Sequence, residues 1–118
     1  MRPRDARVCL ADVLAASEAI RQFVRGETLE TYLADHKLRS AVERQFEIIG
    51  EALNQGRAAD SELIDAVSHA RAIIGFRNQL IHGYALVDDE IVWGNVQLLP
   101  EFQRDVRRAL GIPAAEGS

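Results

Sequence analysis

The sequence predicts an all-α fold, an antiparallel bundle of four to five main helices. Three observations carry that reading. Apolar residues recur at three-and-four spacing along most of the chain. No run alternates with period two long enough to need a sheet. Glycines and cap-forming residues fall where those periodic stretches end. With 118 residues and 47% hydrophobic content, the chain reads as a single domain, 1–118, with an ordered core over about 4–110.

The first helix is predicted over about 4–25, where Leu10, Val13, Leu14, Ser17, Ile20 and Val24 trace one stripe and Gly26 closes it. Cys9 and Phe23 lie off the stripe. Leu29, Tyr32 and Leu33 give a short helix over 27–35 with Thr28 as N-cap. The cleanest periodicity follows over 36–55, through Leu38, Ala41, Val42, Gln45, Ile48, Ile49, Ala52 and Leu53, with Gly56 as terminator. Its opposite side carries Glu43, Glu47, Gly50, Glu51 and Asn54. A mid-helix glycine costs about 1 kcal/mol against alanine, so Gly50 implies a close approach, by a neighbouring helix or by a second copy.

Ser61 is the predicted cap of a short helix through Ser68. The next helix, 70–82, places Ala70, Ile73, Ile74, Arg77, Leu80, Ile81 and Tyr84 on one face, with Gly83 as its stop. The last opens at Asp88-Asp89-Glu90, whose charges suit the positive end of a helix dipole, and runs to about Leu110. Pro100 is expected to kink or restart it.

Composition narrows the function classes. A net charge of −4 argues against a generally basic nucleic-acid binder, yet the chain has no carboxylate between Asp65 and Asp88. Within that gap stand Arg71, Arg77, Asn78, His82 and Tyr84, so positive charge gathers beside the polar groups. Cys9 is the only cysteine, which excludes an intrachain disulfide and a cysteine-built zinc site. The histidines show no metal-ligand spacing, and no metal or cofactor is expected. His36 and His69 read as surface residues and Trp93 as core or interface. Nothing has the length of a membrane span and no secretory signal is visible, which predicts a cytoplasmic protein.

The Arg77-x4-His82-x-Tyr84 spacing, with Asn78 beside the arginine, resembles the signature of HEPN-superfamily ribonucleases, and within them the HepT-type toxins paired with minimal nucleotidyltransferase (MNT) antitoxins. Ile48-Ile49-Gly50-Glu51-Ala52, Val87-Asp88, and Val92-Trp93 leading to Leu99-Pro100 are also similar to that family. The likeness spans about 4–108. It implies a HEPN-like helical domain acting as a metal-independent endoribonuclease toxin on RNA (tRNA or mRNA) in a type VII-like toxin–antitoxin system. Arg77 and His82 would be the catalytic pair, with Asn78 and Tyr84 supporting or binding substrate. It further implies a homodimer, a nucleotidyltransferase antitoxin as partner, and AMP transfer to Tyr84 as the inhibitory step.

The chemistry fits the residue types. Histidine titrates near neutrality and suits proton transfer. Arginine makes paired, charge-assisted contacts to phosphate while staying ionised. On an ideal helix, however, Arg77 and His82 stand about 140° apart, against about 40° for Asn78 and His82. Either the long arginine reaches round or a second copy completes the cleft; the resemblance favours the second. Arg77 taken alone suggests a cation snorkelling from the stripe or paired with a carboxylate such as Glu47 or Glu51. Glu51 reads equally as a partner to Arg77 or as ordinary helix-surface charge. The alternative reading is a non-catalytic nucleotide- or partner-binding module associated with a nucleotidyltransferase.

Overall fold

Short polar side chains start most of the helices by accepting orphan backbone amides. Asp5 accepts from Arg7 N at 2.8 Å, Asp35 from Leu38 N at 3.0 Å, and Asp60 from Leu63 N at 3.1 Å. Asp88 accepts from Glu90 N and Ile91 N, and Thr28 forms a capping box with Thr31. The computed structural model describes residues 3–82 and 87–114. Those residues form α1 (Ala6–Phe23), α2 (Leu29–Ala34), α3 (His36–Ala59), α4 (Ser61–Asp65), α5 (Ala70–His82) and α6 (Asp89–Leu110), with no strand among them. The all-α expectation is met.

α3 is the spine. α1 packs along one side of it and α5 along the other, while α6 lies on the far side of α1. α1 and α3 run antiparallel, with Arg4 reaching Gln55 at 3.1 Å. α1 and α6 do likewise, joined from Arg7 to the Leu110 carbonyl and from Arg107 to Glu18 at 2.8 Å. Gln103 of α6 donates to Ser17 at 2.9 Å and accepts from Arg21 at 2.7 Å, so the serine on the predicted apolar stripe is buried with a partner. Side-by-side packing leaves the molecule flat, 40 × 36 × 18 Å.

Several sequence-level boundaries move. α1 spans Ala6–Phe23, inside the expected 4–25; Cys9 is fully buried and Phe23 exposed. Gly56 does not end α3, which continues to Ala59. A Cβ there would lie 2.8 Å from Ile64 Cδ1 and 3.3 Å from Cys9 Cβ, so the glycine serves close packing. Asp60, not Ser61, caps α4, which stops at Asp65. The residues after it turn through His69, whose φ of 65° is the left-handed region. Pro100 sits inside α6 without restarting it, and Gly111 in the left-handed conformation closes that helix. Gly83, the expected stop of α5, lies outside the described residues.

The buried faces are also rotated from the predicted stripes. Phe46 and Phe76, in neither stripe, are core residues meeting edge to face with centroids 5.4 Å apart. Gln45, Ile48, Ile74 and Ile81 are only half-buried. Gly50, assigned to the polar side of α3, is buried. For the α3 residues the cause is plain: α3 packs on two flanks, so one stripe cannot describe it.

Candidate active site

The site is built where α3 and α5 touch. A Cβ on Gly50 would lie 2.2 Å from Arg77 Cβ and 2.6 Å from its Cγ, so only glycine admits the arginine stem at this crossing. The close neighbour that Gly50 called for is therefore α5 of the same chain. Laid across Gly50, Arg77 carries its guanidinium to the next residue along α3, where Nη2 donates to Glu51. Nη1 donates to Asn78 Oδ1 at 3.0 Å. Nε is buried and has no hydrogen-bond partner among the described residues.

Arg77 is thus a held cation. Its side chain is 21% exposed, against 43% for Glu51. Two of its five N–H groups are engaged, which leaves a planar fork with donors still to be satisfied. An incoming phosphate oxygen is the ligand that such a fork accepts in pairs. Glu51 fixes the fork but also offsets its charge, and the structure gives that carboxylate a definite role where sequence left two readings open.

Glu51 is itself held from behind. Its Oε1 accepts from Gln55 Nε2 at 3.1 Å, and Gln55 Oε1 accepts from Arg4 Nη1 at 3.1 Å. Arg4 closes the chain on Asp12 at 2.7 Å. Gln55 is one turn from Glu51 on α3, but sequence reasoning missed the extension, because Arg4 and Asp12 are brought to Gln55 only by the packing of α1 on α3.

His82 is the final described residue of α5 and is exposed. It is not sealed in the core, and no hydrogen bond engages its ring among the described residues. Asn78 is exposed and touches Arg77 directly. So the structure joins Arg77 and Asn78 in one constellation and leaves His82 on the same helix, one turn beyond Asn78. Tyr84 lies outside the described residues. His36 opens α3. His69 faces Glu101 at 3.5 Å. Trp93 is half-buried against Tyr32, centroids 5.1 Å apart. None of these three contributes to the Arg77 constellation. No helix of the described residues is long and apolar enough to cross a membrane.

Comparison with known proteins places the chain. Residues 13–109 match the family model described as ribonuclease HepT-like. A relative from Thermococcus cleftensis, named a probable ribonuclease HepT, is 35% identical over 88 residues, covering 75% of this chain and 79% of that protein. A candidate RNase of Methanocaldococcus jannaschii is 30% identical over 95 residues, 79% and 76% of the two chains. A candidate RNase of Caldanaerobacter subterraneus subsp. tengcongensis is 31% identical over 105 residues, 88% and 93%. No solved structure matches. The resemblance read from Arg77, His82 and the Gly50-Glu51 segment holds at the level of family, and this chain belongs to the HepT-like ribonucleases.

Proposed function

We propose that this protein is a metal-independent endoribonuclease toxin acting as a homodimer, with Arg77 and His82 as its catalytic pair. The observation that carries the reading is a half-buried arginine with free donors, held on the same helix as an exposed histidine. In the reaction, the ribose 2′-oxygen attacks the adjacent phosphorus as an imidazole takes its proton. Arg77 offsets the charge gathering on the phosphoryl oxygens. The bond to the 5′-oxygen breaks, that oxygen takes a proton, and a 2′,3′-cyclic phosphate and a 5′-hydroxyl result. Asn78 keeps the guanidinium in plane, and Tyr84 assists substrate binding.

The homodimer is supported by the position of α5 at the edge of a flat molecule. Its outer residues Gly75, Asn78, Gln79 and His82 are exposed. A second copy against this face brings two imidazoles to one cleft, one for each proton transfer, and removes the 140° difficulty of a single helix. Regulation follows the same chemistry. A nucleotidyltransferase antitoxin that transfers AMP to Tyr84 puts bulk and negative charge where substrate phosphate must sit.

The test is cleavage of end-labelled RNA by purified protein in excess chelator. Wild type is expected to cut, and His82→Ala to lose at least about 100-fold in rate with unchanged helical circular dichroism. Equal rates would remove the site assignment. One observation favours a second reading: Arg77 is already paired with Glu51. A non-catalytic nucleotide- or partner-binding module would bind through Arg77 but cut no RNA at any enzyme concentration. Mass spectrometry after co-expression with a minimal nucleotidyltransferase tests the regulatory step, by an AMP adduct on Tyr84.

A further inference from the structure

An open concavity among the described residues lies away from His82. It is a groove of about 420 Å³ between α1 and α3, and it shares Glu51 with the Arg77 constellation. We infer that this groove is a second RNA subsite, holding one nucleotide of the strand next to the scissile phosphate. The inference rests on the ribonuclease reading above.

Size comes first. The volume suits one nucleotide, at the small end of the roughly 300–1,000 Å³ usual for ligand sites. The floor is apolar, formed by Ala15, Ala16, Ile48 and Ala52, and small enough for a flat base to lie on. Two guanidiniums, Arg4 and Arg44, stand at the rim. Single-stranded RNA is held by such planes, which stack on bases and pair with phosphates. Gln45 is half-buried on the wall, and its amide has no hydrogen-bond partner among the described residues. An amide so placed can read the edge of a base.

The charges of the groove are paired, so none stands bare against a phosphate. Of its two carboxylates, Asp12 is paired with Arg4 and Glu51 with Arg77. Arg44 is 68% exposed and paired with Glu47 just outside the groove. These are exposed surface pairs, weak enough for an incoming phosphate to compete for the guanidinium donors they leave unengaged.

The hydrogen-bonded chain supplies continuity. Arg4, Gln55, Glu51 and Arg77 link in series along the groove. A phosphate drawing on Arg4 therefore acts on the carboxylate that positions Arg77. The groove is an extension of the site rather than a separate pocket.

The experiment compares a dinucleotide with a longer oligoribonucleotide on the full-length protein. Arg44→Ala removes the rim cation. Ala15→Trp fills the groove from an exposed helix position, so it leaves the core intact. For each, the long-to-short ratio of kcat/KM is expected to fall about tenfold, the scale of one lost charge-assisted contact. Binding of a 2′-O-methyl form of the long oligonucleotide should weaken in parallel. For Arg44→Ala, the slope of log affinity against log salt should flatten by about 0.7, as for one single-strand phosphate contact. Arg71→Ala, which removes the same charge away from the groove, should keep the ratio.

An unchanged ratio and unchanged 2′-O-methyl binding in both groove variants overturn the subsite while leaving the ribonuclease reading intact. Absence of cleavage by wild type, with 2′-O-methyl binding still weakened by both variants, overturns the ribonuclease reading and keeps the groove as an RNA site. Unchanged RNA binding with loss of a co-expressed partner protein makes the groove a protein-docking surface and overturns the proposal.

Discussion

Gly50 and Gly56 lie on one helix, are both buried, and both exist to let a neighbour in, but the neighbours differ. At Gly56 the visitors are Ile64 and Cys9, and the contact seals apolar core. At Gly50 the visitor is the stem of Arg77, and the contact delivers a cation to the surface edge of the same core. The surrounding electrostatics follow. Near the Gly56 end, Arg57 and Arg71 both hold Asp65, at 2.8 and 3.1 Å. Around Gly50, six residues earlier on the same helix, the guanidinium keeps a buried Nε without a hydrogen-bond partner among the described residues, and further N–H donors on its terminal nitrogens. One crossing of α3 is finished as structure; the other leaves a cation with donors to spare.

Adding one methyl group at each glycine breaks that comparison most sharply. Gly50→Ala sets a Cβ against Arg77 Cβ and Cγ, which cannot swing away, and against the Ile73 carbonyl at 3.3 Å. It is expected to destabilise by about 1–3 kcal/mol. A displaced Arg77 should cut RNA cleavage on the order of 100-fold. Gly56→Ala meets the far end of Ile64, which can rotate, and gains about 1 kcal/mol of helix propensity. Its net effect should stay within about 1 kcal/mol, with cleavage unchanged. Urea denaturation and a fluorogenic RNA assay read both; similar activity losses in the two variants would refute the division of labour along α3.

The same contrast shows what could be read in the sequence. Periodicity found the start of α5 at Ala70, because its apolar spacing is unbroken from Ala70 to Ile81; its expected stop at Gly83 lies outside the described residues. It misread α3, because a helix packed on two flanks has no single apolar stripe, and so Phe46 and Gly50 were put outside the core. Both glycines were visible, but a glycine in a periodic run can mark an end or a close approach. Only the partner's position decides which. Arg77, Asn78 and His82 were legible because they are local in sequence. The relay through Glu51, Gln55 and Arg4 was not, because it joins the segment before α1 to α3 across 51 positions.

Glu51→Gln sharpens the site end with a moderate effect. Glutamine keeps an acceptor for Nη2 but removes the charge that offsets Arg77 and repels substrate phosphate. KM is expected to fall severalfold and its salt dependence to steepen. kcat should fall a few fold, because a neutral acceptor fixes the fork less firmly than a carboxylate. Glu51→Ala removes the acceptor as well, so it should lose more kcat than Glu51→Gln. A merely structural glutamate predicts instead that stability changes while KM and kcat do not separate.

The smallest expected effects test two carboxylates by pH, Glu43 within α3 and Asp65 at the close of α4. Burial pushes the Glu43 carboxyl above its ordinary range, with Asp89 and Glu47 adding to the rise and Arg39 and His36 opposing it. The folded state therefore binds this proton more tightly than the unfolded one. Its stabilising contribution is complete below the unfolded pKa and is lost as pH rises through the folded value. At neutral pH the ionised carboxylate is a net cost, so Glu43→Gln should raise Tm at pH 7, with a gain that shrinks toward about pH 4. Asp65 behaves oppositely. Hydrogen bonds from Arg57 and Arg71 hold its pKa down at about 2. Its contribution is present above the unfolded pKa and is lost as pH falls through the folded value. Asp65→Asn should therefore lower Tm at pH 7 and cost progressively less as the wild-type carboxylate protonates. Thermal melts between pH 2 and 7 separate the two: Glu43→Gln should fall to meet wild type from above by about pH 4, whereas Asp65→Asn should approach wild type from below only as pH falls toward about 2. A Glu43→Gln protein that melts below wild type at pH 7 would mean that this carboxylate has found a compensating partner, and would overturn the reading of Glu43 as a cost left in the fold.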